Sequence, residues 1–199
     1  MIRKWLTILL FVAILPMNAQ KKGYYEGYVV NNEGDTIEGW VKDRSTGTFM
    51  ELYSKVRFKS GDARARRSYK PTECRGYGYG GNIYETMPLE EDAAFFRFRY
   101  YLNENNPWIF LKVIQRDDPL TWYHWEYMDG ESNYLDYIPL FYLEGSNEMA
   151  RVTQGMLGLK RTRLADYFYD CPDLVDALLS KDLSEIQEVY NFYVDHCIR

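Results

Sequence analysis

Histidine and cysteine are scarce in this chain, with two and three residues among 199. That scarcity removes most of the common catalytic and metal chemistry. His124 and Glu126 share a strand face at i, i+2, but two ligands without a third do not make a metal site or a defined acid–base centre. His196 has no partner four residues away, and neither histidine lies in the context of a cysteine nucleophile. A His-Glu-x-x-His helix and a Gly-x-Ser-x-Gly elbow are both missing. No metal or cofactor is expected. Positive charge is also in deficit: 24 Lys and Arg against 29 Asp and Glu give a formal charge of −5. A general nucleic-acid-binding role is therefore disfavoured.

What the chain does have begins at its amino terminus. Arg3 and Lys4 precede an apolar run from Trp5 to Leu15, and Pro16 breaks that run before Met17-Asn18-Ala19. This order is that of a secretory signal peptide. The run is shorter than the roughly 20 apolar residues a spanning helix needs, and polar sequence follows it at once. The reading is a signal peptide over 1–19, cleaved between Ala19 and Gln20, with no transmembrane segment after its removal. No cysteine lies near the cleavage region to carry a lipid anchor. Removing Arg3 and Lys4 takes the formal charge from −5 to −7. The mature protein is expected to be periplasmic, associated with the outer membrane, or secreted.

Aromatic residues make up 17% of the sequence, with 19 Tyr and 5 Trp, far more than a disordered secreted chain carries. Residues 23–42 read as a β-hairpin, two aromatic and β-branched runs flanking Asn32-Glu33-Gly34-Asp35 with Gly34 at positive φ. Gly27 and Gly39 interrupt the apolar faces and predict close approach of a neighbouring side chain. Further strands are expected over 49–59, 73–79, 83–87, 94–102, 108–115, 120–128 and 134–143, separated by turn residues. Gly76-Tyr-Gly-Tyr-Gly-Gly81 formally matches G-x-G-x-x-G, but a returning strand follows where a dinucleotide site needs a helix. It reads as a glycine-rich hairpin turn.

Strand formers thin out after about Gly145. Helical stretches are expected around 148–157, over 170–180, with Pro172 in the first turn, and over 184–198, where Asp182 and Glu185 form a capping pattern. Ile186, Val189, Tyr190, Tyr193 and Cys197 recur at helical spacing and predict a face packed on the sheet. The fold class is α+β: an antiparallel β-rich meander or barrel-like sheet over 20–146, then a small helical carboxy-terminal segment over 147–199 packed on it.

Five stretches also resemble a group of exported Bacteroidetes proteins: Gly27-Tyr-Val-Val, Gly34-Asp-Thr-Ile-Glu-Gly-Trp-Val, Tyr69-Lys-Pro-Thr-Glu-Cys-Arg-Gly-Tyr77, Leu164-Ala-Asp-Tyr-Phe-Tyr-Asp-Cys-Pro-Asp-Leu174 and Tyr190-Asn191. The Gly-Asp-Thr-Ile hairpin, just after the signal peptide, is the more specific element. Cys74 departs from the pattern, standing where an aliphatic residue is expected. The resemblance implies an envelope or secreted location and a β-rich domain with a helical tail, and it implies no reaction.

An exported chain meets an oxidising compartment, so its cysteines can pair. A helical hairpin turning near Asp182 brings Cys171 and Cys197 to one end, although mirroring about that residue sets Cys171 opposite Tyr193, about 5.4 Å out of step. The alternatives are a Cys171–Cys197 bridge or buried free thiols, with Cys74 in the core. Arg64, Arg66, Arg67 and Lys70 form one basic run, read as a solvated loop rather than a contact for an anionic surface.

Tyr123, Trp125 and Tyr127 share a strand face, which serves either as core or as a surface for stacking sugars or docking a partner. As a ligand-binding surface they are the leading candidates. The expected function is that of an exported, non-catalytic binding or structural component of the cell envelope, with a protein partner or a glycan as the ligand. The alternative is an envelope hydrolase whose carboxylates come from separate strands.

Overall fold

A computed structural model describes residues 23–44, 55–61, 66–94, 97–128 and 135–198. The expected signal peptide and Ala19–Gln20 cleavage site, the first part of the expected 49–59 strand and Arg64 lie outside these residues. The described elements are β1 (Tyr25–Val30), β2 (Thr36–Lys42), β3 (Val56–Ser60), β4 (Arg67–Tyr69), β5 (Gly76–Tyr79), β6 (Asn82–Ala94), β7 (Arg97–Leu102), β8 (Trp108–Asp117), β9 (Leu120–Met128), β10 (Leu135–Leu143), β11 (Glu148–Arg151), α1 (Arg161–Tyr167), α2 (Pro172–Ser180) and α3 (Ile186–His196).

The strands run antiparallel in the order β4-β3-β2-β1-β5-β6-β7-β11-β10-β9-β8, and an extra β6–β8 pairing closes the last six into a barrel. The 13-residue strand β6 makes this possible. Its first residues pair with β5, residues 83–88 pair with β8, and residues 89–94 pair with β7. One strand thus belongs both to the barrel and to an open wing of β1 to β5. Closing the ring removes the free edges that a six-stranded open sheet would expose.

The β1–β2 hairpin forms as its turn chemistry demands. Gly34 sits at φ +98°, the Asn31 side chain accepts a hydrogen bond from the Asp35 amide at 2.7 Å, and Gly27 pairs with Gly39. At both glycines the close neighbour is a backbone carbonyl of the adjacent strand, Gly78 for Gly27 and Lys59 for Gly39, with the Phe58 ring also close to Gly39. The expected approach of a side chain is therefore only part of the reason for glycine there.

Strand alternation divides the apolar residues among three cores. Leu89, Tyr100, Leu111, Tyr123, Leu140 and Met149 fill the barrel. Val29, Val41, Phe58 and Tyr77 form the wing core together with Tyr84 and Phe110, which point outward from the barrel strands. The third core lies between the outer barrel wall and the helices, where Leu120, Phe141 and Ala150 meet Leu164, Phe168, Leu174, Leu178, Val189 and Tyr190. The predicted face of α3 packs as expected: Val189 and Tyr190 are fully buried.

The helix expected over 148–157 does not form. Glu148–Arg151 is strand β11, followed by a 3-10 turn at Gly155–Leu157. Its Glu-Met-Ala-Arg sequence favours a helix, but β11 is the stave that joins β7 to β10, and its backbone groups are consumed on both sides. Tertiary pairing overrides local preference there. The β-rich body consequently runs past residue 146, and the helical segment starts with α1 at Arg161.

Candidate functional site at the barrel mouth

The aromatic row of β9 shares one face, and that face is the barrel interior. Tyr123 is 1% exposed, and Trp125 packs edge-on against Tyr100 at 5.9 Å. Only Tyr127 emerges, hydrogen-bonding to the Asp136 carboxylate at 3.0 Å. The row is not an outer docking surface. A period of two shows which residues share a face but not which face turns outward. Leu120 and Trp122, on the opposite face of β9, pack in the core under the helices.

Tyr123 nevertheless reaches a polar site at one end of the barrel. Its hydroxyl donates to Glu85 Oε2 at 2.5 Å and accepts from Arg116 Nη2 at 2.9 Å. Arg116 grips Glu85 with both terminal nitrogens, at 2.9 and 2.6 Å, while its Nε donates to Thr121 Oγ1 at 3.1 Å. Such bidentate, charge-assisted pairing fixes both groups in plane. A cavity of about 340 Å³ opens beside them, lined also by Tyr142 of β10 and by Asp118 and Glu144 from the turns that follow β8 and β10. Burial favours the neutral acid, yet the hydrogen bonds from Arg116 and Tyr123 hold the Glu85 carboxyl below its ordinary range. Burial also pushes the Tyr123 phenol up, with the Glu85 charge adding to it. Glu85 is thus a fixed anion and Tyr123 a fixed neutral hydroxyl.

A second polar cluster joins the wing to the barrel. Asp43, just after β2, accepts hydrogen bonds from Tyr77 at 2.5 Å, Tyr79 at 2.8 Å and Tyr84 at 3.4 Å. Arg44 donates to Glu126 on β9 at 2.6 Å and to the Tyr77 hydroxyl at 3.2 Å, and its guanidinium lies 5.1 Å from the Tyr84 ring centre. The Arg44 and Glu126 side chains are 6% and 10% exposed. Burial opposes the Arg44 charge, but Tyr77, Asp43 and Glu126 together raise its pKa above the ordinary value. The cluster is closed on itself and holds the fold together.

His124 and Glu126 do share the outer face of β9, and each is committed elsewhere. Glu126 pairs with Arg44, while His124 stacks on Tyr137 at 3.8 Å with its Nε2 buried and unpartnered. Burial, with help from Lys112, lowers the His124 pKa to about 4. His196 is exposed beside Phe192. Among the described residues no group of three or more His, Cys, Asp or Glu is placed to hold a metal ion.

Cys171 and Cys197 form a disulfide, with Cα atoms 5.6 Å apart. The link between α2 and α3 runs over 181–185, so its centre lies one residue beyond Asp182 and the mirror pairing moves toward Cys197. Cys74 is free and buried in the wing core, and burial raises its thiol pKa to about 11. The glycine-rich stretch is the β5–β6 hairpin, with Gly80 and Gly81 at φ +54° and +82°. Arg66, Arg67 and Lys70 are solvent-exposed.

Taken together, these features define a closed six-stranded antiparallel barrel with a β-wing on one side and a disulfide-tied helical cap on another. No protein-family model, curated protein or solved structure matches the chain. Among the described residues, no helix is long and apolar enough to cross a membrane.

Proposed function

We propose that the protein is an exported binding component of the cell envelope, of the Bacteroidetes group it resembles, and that it holds a polyhydroxylated ligand such as a glycan at the barrel mouth. Export is supported by the amino-terminal signal pattern and by the disulfide, a bond that persists in oxidising compartments. The mouth offers what sugar hydroxyls require, fixed carboxylate acceptors beside guanidinium and phenol donors in a concave, partly apolar setting.

The observation that carries a binding role over a catalytic one is the state of Glu85. It is ionised, doubly gripped by Arg116, and paired with a neutral tyrosine. A general acid needs the reverse, a carboxyl whose pKa is raised toward neutrality. The hydrolase reading draws on Asp118 and Glu144, which line the same cavity from separate turns.

A glycan array probed with the protein, followed by product analysis on every ligand retained, separates the two. Retention without bond cleavage is the expected result. Release of new reducing ends, abolished by Glu144→Gln, would establish the hydrolase instead.

A further inference from the structure

A second cavity, of about 520 Å³, lies away from the barrel mouth between β7 and the start of α1. Its lining includes Arg99, Lys160, Arg161 and Arg163, against the single carboxylate of Asp166, with Phe98 forming an apolar wall. This concentration of positive charge occurs in a protein of net negative charge. The cations come from two parts of the fold: Arg99 from β7, and Lys160, Arg161 and Arg163 from the start of α1.

The internal pairing leaves positive charge over. Arg163 uses Nη2 on Glu148 at 2.6 Å. Arg161 donates to the Leu178 and Leu183 carbonyls, which fixes it without neutralising it. Arg151, behind the wall, donates to the Thr153 carbonyl and lies 5.3 Å from the Phe98 ring centre. The Lys160 ammonium lies the same 5.3 Å from that ring, and no described carboxylate pairs with it. Partial burial lowers its pKa, and Arg151 and Arg163 lower it further, against a weaker pull from Glu91. An ammonium half-sunk among guanidinium groups is unfavourable unless an anion joins them.

We propose that this cleft binds a phosphate group carried on a larger molecule. Donors from two elements, β7 and the start of α1, can converge on a tetrahedral anion with several acceptor oxygens, and the surplus of cations suits a doubly charged group better than a lone carboxylate. The cavity is far larger than a bare phosphate, and its Phe98 wall provides apolar contact for the body that carries it. A phosphorylated sugar and a phospholipid headgroup share this chemistry.

The test is to titrate the protein with inorganic phosphate and a phosphorylated monosaccharide by calorimetry, and to co-sediment it with vesicles containing phosphatidic acid. At least one of these probes should bind, and Lys160→Gln should weaken that binding about tenfold or more, as expected for a lost charge-assisted contact. Arg67→Gln, on the exposed basic run of the wing, should leave it unchanged. Arg99→Gln, at a fully exposed position, supplies a second variant if Lys160→Gln fails to fold. Binding to vesicles alone identifies a lipid headgroup, and binding to the phosphosugar identifies a soluble or glycan source. The proposal is overturned if none of the three binds, or if the cleft variants bind as tightly as the unaltered protein.

Discussion

The wing junction and the helical cap are secured on the barrel by different balances of polar and apolar contact. At the junction a buried guanidinium, a carboxylate from a remote strand and three tyrosine hydroxyls around Asp43 form a polar knot. Under the cap the core is apolar, with Leu164, Phe168, Leu174, Leu178 and Val189 fully buried, joined by separate polar contacts such as Arg163–Glu148 and Tyr190–Asp117 and by a disulfide at the open end of the helical hairpin. Apolar packing tolerates exchange between similar side chains, whereas a buried charge network fails when one partner is lost. The two attachments should therefore respond differently to mutation and to pH.

The largest expected effect is at the junction. Arg44→Ala leaves the largely buried Glu126 without its cation and takes the positive neighbour from the partly exposed Asp43, and should reduce unfolding free energy by about 3–5 kcal/mol, as read by denaturant titration. Replacing both Cys171 and Cys197 with alanine should cost about 3 kcal/mol through the freed denatured chain. The same loss should follow when the unaltered protein is reduced, and reduction should leave the double variant unaffected.

The smallest expected effect concerns pH. His124 stays neutral in the fold down to about pH 4, whereas the unfolded chain binds a proton near pH 6.5. Its stabilising contribution is therefore complete above pH 6.5 and is lost as pH falls toward 4, by on the order of 2 kcal/mol after allowance for partial exposure. His124→Phe should flatten that part of the stability profile. An unchanged slope would place the pH sensitivity in other groups.

The same contrast explains what could be read from sequence. The two longer helices of the cap are legible because helical periodicity is local, but the capping pair of α3 is Glu185–Glu188 rather than the expected Asp182–Glu185. The sequence left the Cys171–Cys197 bridge open against buried free thiols, and the structure forms it. Strand β9 matches its expected bounds because its turn signals are strong. Helix α1 is not evident in the sequence because seven residues are too few to display a helical apolar period. Strand β11 is not legible locally because its pairing is set by β7 and β10.

The polar sites were hidden by distance along the chain. Arg44 and Glu126 are 82 residues apart, and Glu85 lies 31 from Arg116 and 38 from Tyr123. One signal was available: a two-residue Gly80-Gly81 turn sets a register that pairs Tyr77 with Tyr84, which places two phenols side by side. What the sequence lacked was any sign that Asp43 would meet them.

The most direct test of the central claim is to take the best glycan from the array and map its site by amide chemical-shift changes in the labelled protein, alongside Arg116→Ala. Shifts centred on Glu85, Thr121, Tyr123 and Tyr142, with binding lost in the variant and no product formed over days, are the predicted result. Shifts confined to another surface, or binding that survives Arg116→Ala, would contradict a ligand site at the barrel mouth.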